Sequence, residues 1–379
     1  LLGLGLGAAF VSNGALARPI RVGRFATISF GVSSAHPWPS VGGGAHRAFR
    51  SRGEAPARAP DRLWQTRIGP RGTYPPLVLE SGATISAHPY GLTALIAGGE
   101  ELWTAPLRRP LTTPSVLPDG GHVIIAGNGE VNFFRGPNAA TPARVAGTGA
   151  PLVLDDGSSV VLGRTGILHR LDPSGRVLHE QNLNGPPIRN AMIASDGRGL
   201  VIPVGRQLLR TNFRGERQSS VTLSQTISMG PALARDGSAW VATADHRLHL
   251  VSPSSEVVVS TALDVAPRPS SCLAVANDGS VRYGAGAGGV VCVEGSGQIR
   301  WRQEDLGPVA VKLSVDHRGA CMLTNRAGEL VVLEPDGAIR FRVPIGAPSH
   351  AAPVLGRGGS VFVTTLPGHL QHWRIPNPA

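Results

Sequence analysis

Lysine is almost missing from this chain: Lys312 is its single example in 379 residues, although the formal net charge is +11 and arginine carries nearly all of the positive charge. Such one-sided use of arginine reads as GC-rich coding rather than as selection for phosphate contacts. Cysteine is scarce too. Cys272, Cys292 and Cys321 form no Cys-x-x-Cys pair and no zinc spacing, which argues against a zinc ribbon and leaves a disulfide only as the alternative to free thiols. Each is expected to be a buried free thiol. Aromatic residues make up 5% of the chain and interleave only thinly with its basic stretches, which argues against a nucleic-acid partner. No segment shows the i, i+3, i+4, i+7 stripe of an amphipathic helix, and no apolar run reaches the length needed to cross a membrane.

Recognisable chemistry is equally thin. No Gly-x-Ser-x-Gly elbow or P-loop occurs, and the glycine-rich run Gly284 to Gly289 reads as a strand-to-strand turn without the following helix that phosphate binding needs. His246/His249 and His369/His372 are spaced three apart on expected strands and so point to opposite faces; surface or turn positions are expected for them rather than a metal site. No catalytic, cofactor-binding or metal-ligating residue is assigned, and no cofactor is expected.

Glycine and proline are abundant, and the glycines are in phase. Gly82, Gly120, Gly157, Gly197, Gly237, Gly279, Gly319 and Gly359 recur at intervals of 37 to 42 residues. A second turn follows each by nine or ten residues, at Gly91, Gly129, Gly166, Arg206, Arg247, Gly289, Gly328 and Gly368. Leu313 to Phe341 shows one unit in full: four short β-rich runs separated by turns at Gly319, Gly328 and Pro335-Asp336-Gly337. A four-strand unit repeated every forty residues or so predicts an all-β, eight-bladed β-propeller of four-stranded antiparallel blades. The last repeat lacks its fourth strand, and residues 61–68 have the pattern to supply it, closing the ring with both ends of the chain. The three cysteines fall on three different expected strands of adjacent blades.

Outside the repeats, residues 1–17 are uncharged and apolar and end in Ala15-Leu16-Ala17, the pattern of a signal-peptide core and cleavage site. Residues 18–60 hold Arg18, Arg21, Arg24, Arg47, Arg50, Arg52 and Arg58 against Glu54, with Gly42-Gly43-Gly44 and scattered prolines. They are expected to be a disordered basic lead. The propeller is expected over 61–375 and a short tail over 376–379.

The units resemble the PQQ-like β-propeller repeat family, best from Asp278-Gly279 through Gly289-Val290-Val291-Cys292-Val293 to Gly297 and Trp301. The repeat's tryptophan position holds Trp103 and Trp301 but His179 and Phe341 in other copies. The resemblance spans roughly residues 61–375. It implies a periplasmic or secreted protein and two functions: a non-catalytic scaffold binding proteins or ligands in the cell envelope, similar to an eight-bladed outer-membrane assembly lipoprotein of this family, or a PQQ-dependent quinoprotein oxidoreductase. The family's dehydrogenases add an adjacent cysteine pair and an acidic cluster, and no Cys-Cys occurs here. The scaffold is the expected function, with a protein or peptide partner, no transmembrane span and a monomeric state.

Strand order in a propeller puts first and third turns on one side of the disc, and second turns and inter-blade links on the other. The first side carries Glu80, Asp119, Asp155, Asp156, Asp196, Asp236, Asp278, Asp316, Glu334 and Asp336. The second carries Arg108, Arg109, Arg164, Arg189, Arg206, Arg247, Arg268 and Arg326. One reading is a polarised disc whose basic face receives an acidic partner; the other is that aspartate is simply favoured in hairpin turns.

Overall fold

A computed structural model describes residues 36–140, 142–188, 192–263, 272–286, 288–307 and 312–376. The expected apolar lead of residues 1–17, its basic continuation to residue 35, and Arg189 and Arg268 lie outside the described residues.

Eight four-stranded antiparallel sheets form a closed ring. Blade 7 has strands Ser314–Val315, Cys321–Thr324, Glu329–Leu333 and Ile339–Pro344, as its turns predict. All eight first-turn glycines have positive φ, from +72° at Gly359 to +93° at Gly319, a region that strains any side chain with a Cβ. This local demand is what keeps the repeat in phase. Second and third strands are short apolar runs such as Val290–Val293, buried throughout because a neighbouring blade covers each face. Outer strands such as Val257–Ala262 alternate between exposed and half-buried positions, since solvent takes one side.

The ring closes as the sequence predicts. Asp61–Arg67 pairs antiparallel with His369–Arg374, Asp61 opposite Arg374 and Arg67 opposite His369, and becomes the outer strand of blade 8. The seam is latched like the other blade junctions. Trp64 Nε1 donates to the Ala97 carbonyl at 3.0 Å in the third turn of blade 1, as Trp301 Nε1 donates to Pro335 O at 2.8 Å between blades 6 and 7. Third-turn Gly99 and Gly337 must be glycine for space as well as φ: a Cβ there would fall 2.5 Å and 2.7 Å from the Trp64 and Trp301 rings.

The three cysteines are free and buried. Their expected placement needs correction. Cys272 precedes the inner strand Ala274–Val275 of blade 6, Cys292 lies in the same blade's third strand, and Cys321 is in blade 7. The histidines differ as well. His249 and His372 are buried in the sheets rather than at the surface, and His372 stacks on Phe362 with ring centroids 4.5 Å apart.

The larger correction concerns the basic lead. Residues 36–60 are not a loose tail; Trp38, Val41, Ala48, Phe49 and Ala55 are core residues, so the folded unit extends N-terminally of residue 61. The triple glycine that suggested a linker forms part of a 3-10 turn, Val41–Gly43, in which Gly42 and Gly43 have φ of +75° and +79°.

Candidate functional site

The inner strand of each blade pairs with its own sheet along one edge only, and the other edge faces the axis of the ring. Left alone, those amides and carbonyls would need water or another strand. Residues 38–51 supply the partner, passing from blade to blade in chain order. Trp38 exchanges two bonds with Val78, at 3.2 and 3.1 Å, in blade 1. The carbonyls of Pro39, Ala45, His46, Ala48 and Phe49 then accept from Val116, Ser195, Leu233, Val275 and Val315 in blades 2, 4, 5, 6 and 7, all at 2.8–2.9 Å. The segment is a plug.

Arg47 fixes it from within. The side chain is 0% exposed. Its Nε donates to Ile193 O at 3.0 Å, Nη1 to Val41 O at 2.8 Å and Ser40 Oγ at 3.1 Å, and Nη2 to Pro151 O at 2.8 Å, tying blades 3 and 4 to the plug's own turn. Burial lowers its pKa to about 10, so it remains charged at neutral pH. Beyond it, Ala55 N donates to Asp316 Oδ2 at 2.9 Å; Asp316, expected on an acidic face, is fully buried.

On the link side of the plug a cavity of about 740 Å³ occupies the axis of the ring. Val41 and Phe49 of the plug line its inner end, links between blades supply Tyr74, Leu111, Ile188, Met192, Cys272 and Lys312, and Met229 comes from the inner strand Ile227–Leu233 of blade 5. No carboxylate lines it among the described residues. Lys312, the sole lysine, sits here with its pKa lowered by burial, and the Cys272 thiol beside it is pushed up to about 12 by burial and stays neutral. The strand pattern does not reveal this placement; the uniqueness of the lysine is the one signal in the sequence that sets it apart.

The two sides of the disc treat charge differently. On the turn side, most carboxylates are engaged by their own turns, by arginines or by both. Asp156, Asp236 and Asp278 accept the main-chain N–H of Ser158, Ser238 and Ser280 within their turns. Arginines take the remaining oxygens: Arg135 on Asp119 (2.5 Å), Arg170 on Asp156, Arg210 on Asp196 (3.3 Å), Arg300 on Asp278 (2.7 Å) and Arg340 on Glu334 (2.7 Å). Burial alone would raise the pKa of Asp278, but the Ser280 hydroxyl and Arg300 outweigh it and hold it at about 2. Turn chemistry therefore accounts for the aspartates, and that side is not a free acidic surface.

On the link side, Arg144, Arg302 and Arg342 pair with Glu130, Glu304 and Glu329, but the predicted arginines do not. Arg108, Arg109, Arg164, Arg206 and Arg326 are exposed and Arg247 half-buried. None forms an ion pair among the described residues. Their bonds go to neutral acceptors instead: Arg164 to Gly127 O (2.7 Å), Arg206 to Leu223 O (3.0 and 3.1 Å) and Arg247 to Ser260 Oγ and O (both 3.0 Å). Arg164 also lines the cavity. The sequence-predicted residues that are described thus share one side of the disc, and of them Arg164 reaches the axial cavity.

No family model and no curated protein matches the sequence. Among solved structures, BamB from Moraxella catarrhalis is similar with a TM-score of 0.68 at 14% identity, covering 83% of this chain and all of that one. Quinohemoprotein alcohol dehydrogenase from Comamonas testosteroni is similar with a TM-score of 0.70 at 10% identity, covering 92% of this chain and 82% of that one. At such identities the likeness is one of fold, and that fold is the eight-bladed propeller.

Proposed function

We propose that this protein is a non-catalytic scaffold of the cell envelope whose basic face docks an acidic segment of a partner protein, in a role related to outer-membrane protein assembly. One observation carries the reading: on one side of the disc Asp119, Asp156, Asp196, Asp278 and Glu334 are each engaged by an arginine, while on the other Arg108, Arg109, Arg164, Arg206, Arg247 and Arg326 form no ion pair among the described residues. A face that keeps its cations unpaired retains a field that reaches an approaching anion, and that field steers association. The similarity to BamB supports the choice of compartment. The second reading, a PQQ-dependent oxidoreductase, draws on the same kind of fold similarity. The described residues lining the cavity offer no carboxylate to hold calcium or to act as a base, so they do not fit that cofactor and no step through it follows.

The test is a titration of an acidic peptide against the protein and its triple variant Arg108→Glu, Arg109→Glu and Arg326→Glu. These side chains make no hydrogen bond among the described residues, so the fold should be unaffected. Binding should weaken at least tenfold in the variant and decline as salt is raised. Equal binding by both proteins, insensitive to salt, would sink the reading.

A further inference from the structure

On the opposite side of the plug, away from the arginine-rich face, lies a second pocket of about 480 Å³. Arg50, Arg52, Arg235, His36, His46 and His317 line it, with no carboxylate among its lining residues. We propose that this pocket is a binding site for a phosphate-type oxyanion, either a free phosphoester or a lipid headgroup.

Arg50 and Arg235, gathered in a recess lined by no carboxylate, oppose one another. Burial, and then repulsion from Arg235, lowers the pKa of Arg50 to about 10. Burial also lowers that of His46, with Arg50, Arg235 and Arg52 adding to the effect and Asp196 opposing it. The carboxylates in this region are already engaged. Asp196 is held by Arg210 at 3.3 Å and Glu54 by Arg318 at 2.8 Å.

The donors are also positioned. Arg50 Nη1 donates to Val275 O at 3.2 Å and Ala276 O at 3.3 Å, which fixes the guanidinium on blade 6. Its Nε and Nη2 make no hydrogen bond among the described residues. A guanidinium held in this way offers paired N–H donors at the spacing of phosphate oxygens, and Arg235 adds a second charge. Asn277 supplies an independent sign. Its amide donates to His317 O at 2.6 Å, which orients the group, and its Oδ1 is buried with no donor. That oxygen suits the O–H of a monoprotonated phosphate or of a phosphoester's alcohol.

Calorimetric titration of the full chain at low ionic strength with inorganic phosphate, and separately with glycerol 3-phosphate, tests the site. One saturable site is expected. Arg235→Gln should weaken it at least tenfold, whereas Arg217→Gln, on the outer strand of blade 4, should leave it unchanged. The triple variant Arg108→Glu, Arg109→Glu and Arg326→Glu should also retain it, which separates this site from the basic face. Near-ultraviolet circular dichroism confirms that Arg235→Gln is folded, and phosphorus NMR line broadening gives a second measure of binding. Flotation with vesicles of phosphatidylcholine with and without phosphatidic acid distinguishes the sources: Arg235-dependent flotation only with phosphatidic acid assigns a headgroup, and binding of glycerol 3-phosphate alone assigns a free phosphoester. Absence of phosphate binding, or binding equal in Arg235→Gln, overturns the proposal.

Discussion

The ring and the plug both rest on main-chain hydrogen bonds, but they draw their partners from opposite ends of the distance scale. Seven blades close their ladders within one repeat, as where Val281–Gly284 pairs with Val290–Val293. The plug closes its bonds with residues far along the chain: Ala45 with Ser195, Phe49 with Val315. The edges the plug covers exist only once the ring has formed, so it depends on the ring. Blade 8 stands between the two cases, since its outer strand comes from the other end of the chain.

That difference is open to a direct break. A chain starting at residue 69 loses plug and seam strand together, and should aggregate, because the edge of His369–Arg374 is left unpaired. A chain starting at residue 58 loses the plug but keeps the seam, and should remain a folded ring, destabilised by on the order of 5 kcal/mol through loss of buried Trp38, Val41 and Phe49, offset in part by the entropy of the freed segment. Light scattering and urea denaturation separate the outcomes. Identical melting of both chains would show that the seam strand adds nothing.

Locality also decides what was legible in the sequence. The first-turn glycines could be read because each answers a demand made within a few residues, a positive φ in a tight turn. The seam could be read from a missing strand at one end and a spare one at the other. The plug could not. Arg47 looks like any solvated arginine of a basic tail, and its four acceptors include carbonyls of Pro151 and Ile193, over a hundred residues away. The apolar residues Trp38, Val41 and Phe49, set among the arginines, are the signal that argued against a tail. The arginines of the basic face were legible because strand order alone assigns turns to sides. Their lack of partners was not, since pairing depends on which outer-strand arginine reaches which turn.

Acid should act on the ring above all, because His122 and His372, the histidines whose pKa falls to about 4, belong to it, although His46 of the plug is lowered as well. His122 sits in blade 2 against Trp103 of blade 1, with centroids 6.2 Å apart, and His372 is stacked in blade 8. Burial lowers both pKa values to about 4, with His36 adding to the effect at His122 and Arg374 at His372. An unfolded chain protonates these rings near pH 6.5, while the folded one resists down to about 4. Their contribution is therefore complete above pH 6.5 and is lost as the pH falls towards 4. At pH 5 each histidine should account for a loss of about 2 kcal/mol. Urea midpoints at pH 7.5 and 5 should differ accordingly, and the double variant His122→Phe and His372→Phe should flatten the dependence. An unchanged slope in that variant would place the acid sensitivity elsewhere.

The smallest effect probes the plug alone. Arg47→Met keeps the length and apolar stem of the side chain but strands the carbonyls of Val41, Pro151 and Ile193, at a cost on the order of 2 kcal/mol. Arg47→Lys should restore little, because one ammonium cannot span acceptors that the planar guanidinium reaches from separate nitrogens. Since the plug forms on a finished ring, the loss should appear first as faster hydrogen exchange at Ser195, Leu233 and Val275, whose amides the plug covers. Amides buried within the blades, such as those of Val290–Val293, should exchange as before. If both sets accelerate equally, plug and ring unfold as one unit and the dependence runs in both directions.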